Sequence, residues 1–264
     1  MLKNSAILWI LAIIFTLSFV VYQKKTGPTY PVSGTKKISG HSISYKLLRS
    51  EDVNKDVGVE VSIADSSFAG FIRHKRFRSH DNWEDIPMVW ANGKLAGTLP
   101  ALSELAGKRI YEVFINNQSL TEEPVIIRFK GHVPLYILIP HILFMFTAML
   151  LSTRTGFEAL FRNISTYKMA YITTVSLFIG GIVLGPIVQK FAFDAFWTGW
   201  PWGHDLTDNK TIVAMIMWVI AFVRLRKNPQ SRWVVLTATI VLIAIYLIPH
   251  SALGSEFDYT ANGQ

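Results

Sequence analysis

The chain of 264 residues is half apolar and 17% charged, with a formal net charge of +8 and a mean hydropathy of +0.31. This composition argues against an ordinary soluble domain and predicts several membrane spans. The sequence contains no cysteine, which excludes disulfides, thiolate-bound metals and covalent haem attachment through cysteine.

The first apolar run, SAILWILAIIFTLSFVVY at about residues 5–22, predicts a helix that crosses the membrane. A hydrocarbon core of ~30 Å needs about 20 helical residues at roughly 1.5 Å each. The run is longer than the apolar region of a signal peptide, and no small-residue cleavage site stands before Gln23. We therefore interpret residues 1–23 as an uncleaved N-terminal signal anchor, with cleavage as the alternative.

Residues 24–131 have the pattern of a β domain inserted between the first and second membrane helices. Val57, Val59 and Val61 recur with a period of two, which is typical of strands with one buried face. Asn92-Gly93 predicts a two-residue type I′ hairpin turn, because both residues tolerate positive φ. Seven strands are predicted, at 38–49, 57–64, 68–78, 86–91, 94–99, 108–116 and 124–130. Their spacing indicates an all-β sandwich of immunoglobulin- or fibronectin-III-like type, without the cysteine pair of immunoglobulin domains.

Residues 132–264 predict a four-helix membrane bundle with a C-terminal tail, which makes about five transmembrane helices in all. The four helices are placed at about 134–153, 169–189, 206–223 and 233–250. Glycines 180, 181 and 185 in the second of these four predict the close approach of another helix. The next helix has only thirteen clearly membrane-compatible residues, Thr211 to Val223, so we expect it to begin near His204.

Basic residues in two short loops predict the orientation in the membrane. Loops 154–168 and 224–232 carry Arg154, Arg162 and Lys168, and Arg224, Arg226, Lys227 and Arg232, respectively. Such loops face the cytoplasm, so the N-terminus is predicted to be cytoplasmic and the β domain and C-terminus extracytoplasmic. We expect a multi-pass protein of the bacterial inner membrane with a periplasmic β domain.

The positive net charge does not indicate a nucleic-acid partner, because much of it is this orientation signal. A basic run at 73–78 alternates with phenylalanines at strand spacing, which favours a solvated strand face. An anionic lipid surface or an acidic partner is the alternative for that run. The predicted partners are the lipid bilayer and a protein bound through the β domain or the bundle.

A histidine inside the second predicted helix is the first candidate site. His141 lies thirteen residues before Arg154, about 20 Å along a helix and therefore inside the hydrocarbon core. Its simplest role is a hydrogen bond to a carbonyl freed by Pro140. The alternative is a cofactor site, b-haem or copper, formed by His141, His250 and Met145.

The stretch WTGWPWGHDLTDNKT, residues 197–211, holds the second candidate site. His204 and Asp208 would share one helix face at i and i+4. Together with Asp205 and Glu256 they could ligate a metal or relay protons at the outer face. The simpler interpretation is that Asp205 or Asp208 caps the fourth helix and that the tryptophans form an interfacial belt.

Three functions are compatible with these patterns. The first hypothesis is an accessory protein that presents its β domain to a larger envelope or respiratory complex, without chemistry of its own. The second is a redox protein with b-haem or copper near His141 and His250. The third is an enzyme or transporter that uses the polar residues around His204 and Asp208.

Overall fold

Residues 4–162, 166–203, 205–248 and 256–260 are described by a computed structural model of the chain. The chain divides into two units. The helical unit draws its residues from 1–28 and 133–254, and the β unit from 29–132 and 255–264. The predicted sites at His204 and His250 lie outside the described residues.

In the part of the chain that the structure describes, the helical unit contains five helices. They are α1 (Ser5–Thr26), α2 (Leu135–Phe161), α3 (Tyr167–Phe193), α4 (Leu206–Lys227) and α5 (Arg232–Leu247). Within the described residues, α1 to α4 are long and apolar enough to cross a membrane, which indicates a membrane protein. Helix α5 has 16 residues, about 24 Å, and is shorter than a hydrocarbon core of ~30 Å. The prediction of about five full spans is therefore wrong for the last helix.

Helix α2 continues well past the residue at which the sequence predicted its end. It runs through Phe161, so the segment that begins at Arg154 is helix and not loop. Arg154 is fully buried and pairs with Glu158, which also pairs with Arg162 at 2.9 Å. The helix can continue through these charges because Arg154 and Glu158 are buried as an ion pair, while Arg162 is partly exposed. Two of the seven basic residues used to predict orientation are therefore committed to ion pairs.

Helix α2 is the centre of the bundle, since it contacts α1, α3 and α5, while α4 packs against α3 and α5. Small residues allow these approaches: a Cβ built on Gly156 would lie 2.7 Å from the Thr239 methyl carbon. The Thr239 hydroxyl donates to the carbonyl of Ser152 at 3.1 Å, which ties α5 to α2. Trp218 of α4 is fully buried in the shared core.

The β unit contains ten strands in the described part of the chain. They are β1 (Val32–Ile38), β2 (His41–Leu47), β3 (Ser50–Asp52), β4 (Val57–Ser62), β5 (Gly70–Arg76), β6 (Glu84–Ala91), β7 (Lys94–Leu99), β8 (Lys108–Ile115), β9 (Gln118–Ser119) and β10 (Val125–Lys130). Hairpin β1–β2 forms a separate two-stranded sheet. The others form one sheet in the order β3-β10-β8-β5-β6-β7-β4, with β9 paired to β8.

This sheet overturns the predicted immunoglobulin- or fibronectin-III-like sandwich. The eight strands form one mixed sheet that nearly closes into a barrel, and β10 pairs with β3 in parallel. The alternation of apolar and polar residues does not distinguish a sandwich from a nearly closed sheet, because a strand buries every second residue in both. Strand order and closure depend on long-range pairing that the local pattern does not contain.

Two hairpin turns of the β unit are formed by residue pairs with positive φ. The predicted Asn92-Gly93 turn is confirmed, with φ of 52° and 78°, and joins β6 to β7. A second turn of this kind, Ser39-Gly40 with φ of 49° and 82°, joins β1 to β2. It divides the strand predicted at 38–49, which was therefore wrong.

The basic run on β5 is largely paired within the β unit. Arg73 makes two 2.8 Å hydrogen bonds to Asp85, and Arg76 makes two 2.7 Å bonds to Asp81. His74 points into the core, where burial and the nearby Arg109 guanidinium lower the pKa of its imidazole. These contacts favour a structural role for the run.

Residues 256–260 also pack on the β unit. The Phe257 amide donates to the Ala106 carbonyl at 3.3 Å, and the Tyr259 ring is buried in the β core. Glu256, which the sequence suggested as a metal ligand, pairs with Lys108 and lies 3.3 Å from Arg78.

The buried ion pairs of α2 lead to a stability prediction. Glu158→Gln leaves Arg154 buried without its counter-charge, and breaking such a pair typically costs about 3–5 kcal/mol. Glu60→Gln removes the exposed partner of Lys94 and is expected to cost at most about 1 kcal/mol. Thermal unfolding in detergent should show a large loss for Glu158→Gln only. Equal midpoints for the two variants would contradict a structural role for the buried pair.

Candidate functional site

A cavity of about 380 Å³ lies among the five helices of the helical unit. Most of its wall is apolar and is formed by Phe19, Val20, Ile142, Met145, Phe146, Met149, Leu177, Ala214 and Ile245. Its polar lining residues are Gln23, Lys24, His141, Lys210, Thr211 and Tyr246. We call this space the larger cavity.

The polar lining is concentrated at one end of the larger cavity. Gln23 and Lys24 lie in the last turns of α1, Lys210 lies near the start of α4, and Tyr246 lies near the end of α5. Along α2 the lining runs eight residues from His141 to Met149, which is about 12 Å of helix. The larger cavity is therefore a slot that is lined by polar groups at one end and by apolar side chains along the rest of its length.

His141 is held in one orientation by helix α3. Its Nδ1 lies 2.9 Å from the Gly180 carbonyl oxygen, and a carbonyl only accepts, so Nδ1 carries the proton. In the neutral imidazole Nε2 is then an acceptor, and it makes no hydrogen bond to another described residue. The sequence predicted a carbonyl freed by Pro140, whereas the carbonyl belongs to another helix.

That carbonyl lies in an unusual part of α3. Residues Phe178–Leu184 are π-helical, so each backbone bond spans one residue more than in an α-helix. The Gly180 carbonyl accepts from the Gly185 amide in this pattern and from His141 with its second lone pair.

Glycine allows α3 to lie against α2 at this point. A Cβ built on Gly180 would lie 3.0 Å from the Met145 sulfur and 3.1 Å from the Met145 amide nitrogen. At Gly181 the nearest atom would be the Thr211 methyl carbon at 2.7 Å. The predicted close packing at these glycines is confirmed, and it places Met145 beside His141 in the cavity wall.

A smaller cavity of about 100 Å³ adjoins the larger one and shares His141, Met145 and Thr211 with it. Asp205, Asp208, Gln189 and Thr207 contribute the remaining polar groups of its lining. The structure therefore brings together residues that the sequence assigned to two separate hypotheses, His141 with Met145 and Asp205 with Asp208.

The two carboxylates have defined structural partners. Asp205 is the N-cap of α4, where its Oδ1 accepts from the Thr207 amide at 2.7 Å. Asp208 Oδ2 accepts from the Thr198 amide at 2.7 Å and from Gln189 Nε2 at 3.2 Å. Of the two carboxylates that the sequence offered as caps, Asp205 fills that role, and Asp208 anchors the preceding loop to α4.

The tryptophan-rich part of the loop is fixed by its backbone. The Trp200 amide donates to Asn209 Oδ1 at 2.6 Å, and a Cβ on Gly199 would lie 2.6 Å from the Asp208 Cβ. The side chains of Trp200 and Trp202 are 70% and 82% exposed, as expected of rings in the interfacial zone. Their role as a belt stays a prediction.

Polar groups at this end of the larger cavity also donate hydrogen bonds to the carbonyl groups at the end of α5. Gln23 Nε2 donates to the Tyr246 carbonyl and lies 3.3 Å from the Ile248 carbonyl, and Lys210 Nζ lies 3.1 Å from the latter. The Tyr246 hydroxyl donates to the Met145 carbonyl at 3.3 Å. These contacts tie α1, α2 and α4 to the last helix. Sequence reasoning missed them because it does not show which helices are neighbours.

Within the described residues, no three His, Asp or Glu side chains form a group that could hold a metal ion. The b-haem, copper and metal hypotheses stay predictions, since His204 and His250 lie outside those residues. The docking role of the β unit also stays a prediction. Compared with known proteins, the chain matches no family model and no characterised sequence. Its function is therefore inferred from the cavities.

The π-helical contact predicts different effects for two glycines of α3. Gly180→Ala crowds Met145 and should cost about 1–3 kcal/mol, as overpacked cores do. Gly185→Ala places its Cβ no closer than 3.5 Å to another atom and should be neutral or gain up to about 1 kcal/mol of helix propensity. Thermal unfolding in detergent compares the two. A variant pair with equal midpoints would show that α3 does not depend on this contact.

Proposed function

We propose that this membrane protein binds a lipid-soluble molecule with a long apolar part in the larger cavity. The observation that carries the proposal is the shape of the site, an apolar slot about 12 Å deep with hydrogen-bonding groups at one end. A molecule with a polar head and an apolar chain matches this distribution.

The size and lining of the cavity support the proposal. Its volume falls in the range of about 300–1,000 Å³ that is usual for small-molecule sites. Met145 and Met149 line it with flexible side chains that adapt to irregular ligands.

Partly exposed apolar side chains in the cavity wall support entry from the bilayer. Ile142 and Phe146 line the cavity from α2 and are 37% and 40% exposed. An apolar ligand could therefore pass from lipid into the slot without crossing water. At the polar end, His141 Nε2 offers an acceptor for a hydroxyl group of the ligand.

We extend the proposal to orientation. Arg224, Arg226 and Lys227 at the end of α4, with Arg232 at the start of α5, favour the cytoplasm for that side of the bundle. The polar end of the larger cavity belongs to the opposite ends of α4 and α5 and would face the outer leaflet of a bacterial inner membrane.

Filling the cavity tests the proposal. Ala214 is buried and lines the slot, so Ala214→Leu should displace an apolar ligand while adding apolar contacts. The matched control is Val213→Leu, at a 48% exposed position one residue earlier on α4. Native mass spectrometry of protein extracted in mild detergent should show bound lipid for wild type and Val213→Leu and a loss of at least about tenfold for Ala214→Leu.

The unfolding midpoint of Ala214→Leu should not fall below that of wild type freed of lipid. Wild-type protein without bound lipid, or equal lipid on all three proteins, would overturn the proposal.

A further inference from the structure

The β unit contains a pocket of its own, with a volume of about 660 Å³. Its lining comes from hairpin β1–β2, from the residue that precedes β3, and from the segment that leads into β10. The lining residues are Val32, Thr35, Lys36, Tyr45, Arg49 and residues 120–126. We call this space the β pocket. All of its lining residues belong to the β unit, so it is independent of the lipid site proposed for the helical unit.

Two hydrogen-bond donors of the β pocket have no partner among the described residues. Arg49 is half-buried, and its guanidinium makes no hydrogen bond or ion pair with any other residue that the structure describes. Tyr45 is also half-buried, and its hydroxyl makes no hydrogen bond within the described chain. The N–H groups of a guanidinium form a planar fork that matches the two oxygens of a carboxylate. The β pocket therefore presents donors that the protein itself does not use.

Lys36 and Thr121 add to this set of donors. Lys36 Nζ donates to the Ser119 carbonyl at 2.6 Å, which leaves the positive charge of the ammonium in place. Thr121 is 8% exposed, and its side-chain oxygen is buried without a hydrogen-bond partner in the part of the chain that the structure describes. Buried hydroxyl groups are nearly always paired, so this one indicates a partner that comes from outside the chain.

The β pocket also carries negative charge at its edge. Glu122 and Glu123 line it and are exposed, and within the described chain they form no ion pair with Arg49. Water screens exposed carboxylates, so they reduce the attraction of an anion to the half-buried guanidinium only in part. The same carboxylates can accept hydrogen bonds from an ammonium group. One pocket thus offers donors for a negative group and acceptors for a positive group.

We infer that the β pocket binds a short peptide with free ends, whose carboxylate is held by Arg49 and Lys36. The ammonium group of the peptide then lies near Glu122 and Glu123. Charges of both signs favour a zwitterion over a simple anion, which the glutamates would repel. The volume lies in the range of about 300–1,000 Å³ that is usual for small-molecule sites, and a single small ion would leave most of it unfilled.

Binding of dipeptides to the full-length protein in detergent tests the inference. The probes are alanylalanine, its C-terminal amide, which lacks the carboxylate, and its N-acetyl derivative, which lacks the ammonium group. Isothermal titration calorimetry should give a Kd for alanylalanine of about 1 mM or below. Amidation should lower the affinity by at least about tenfold, the usual scale of a hydrogen bond to a charged group, and acetylation should also lower it.

Variants identify the groups of the protein that are involved. Arg49→Gln should lower the affinity for alanylalanine by at least about tenfold. The matched control is Lys46→Gln, at an exposed position of β2 that does not line the β pocket, and it should bind as wild type does. Glu122→Gln combined with Glu123→Gln should remove the difference between alanylalanine and its N-acetyl derivative. Equal unfolding midpoints for wild type and Arg49→Gln are expected, because the guanidinium has no partner within the described chain.

Three results would overturn the inference. They are no binding of alanylalanine by wild type up to about 1 mM, equal affinity of wild type and Arg49→Gln for it, and displacement of it by inorganic phosphate at equal concentration. The last result would show a general anion site and not a peptide site. The comparison of the three probes on wild type decides the matter even if Arg49→Gln fails to fold. None of these results bears on the lipid proposal, whose residues belong to the helical unit.

Discussion

The arrangement of the bundle depends on where the carbonyl groups at the end of α5 find donors. A helix of 16 residues is too short to cross the hydrocarbon core, so its terminal carbonyls need protein partners. Gln23 of α1 and Lys210 of α4 provide them at Tyr246 and Ile248. The same contacts gather polar groups at one end of an otherwise apolar slot. The requirement that completes a short helix thus also creates the polar end of the candidate site.

The opposite wall of the slot follows from the contact between α2 and α3. Gly180 permits the approach, and the π-helical segment presents the Gly180 carbonyl to His141. This bond fixes which imidazole nitrogen is left as an acceptor. His141, Met145 and Thr211 line both cavities. The smaller cavity is also lined by Asp208, which accepts a hydrogen bond from the Thr198 amide.

Sequence patterns predicted the features that local chemistry controls. The Asn92-Gly93 turn, the start of α4 close to His204 and the glycine contact on α3 all follow from residues near one another in the chain. The sandwich was wrong because alternation is the same in a nearly closed sheet. The loop expected at Arg154 was wrong because buried pairing with Glu158 lets the helix continue. The cavity was missed because the approach of Lys24, Lys210 and Tyr246 depends on which helices are neighbours.

The most direct measurement is photo-crosslinking with a phospholipid that carries a diazirine in its acyl chain, followed by peptide mapping of the full-length protein in vesicles. Lipid binding in the larger cavity predicts strong labelling of α2 between Ile142 and Met149 and of α4 near Ala214. The outward apolar residues Ile14 and Leu17 of α1, each 58% exposed, report background contact with bulk lipid. Label concentrated on the cavity wall, and reduced there by Ala214→Leu, is the expected result. Label spread equally over outward and cavity residues would contradict lipid binding at this site.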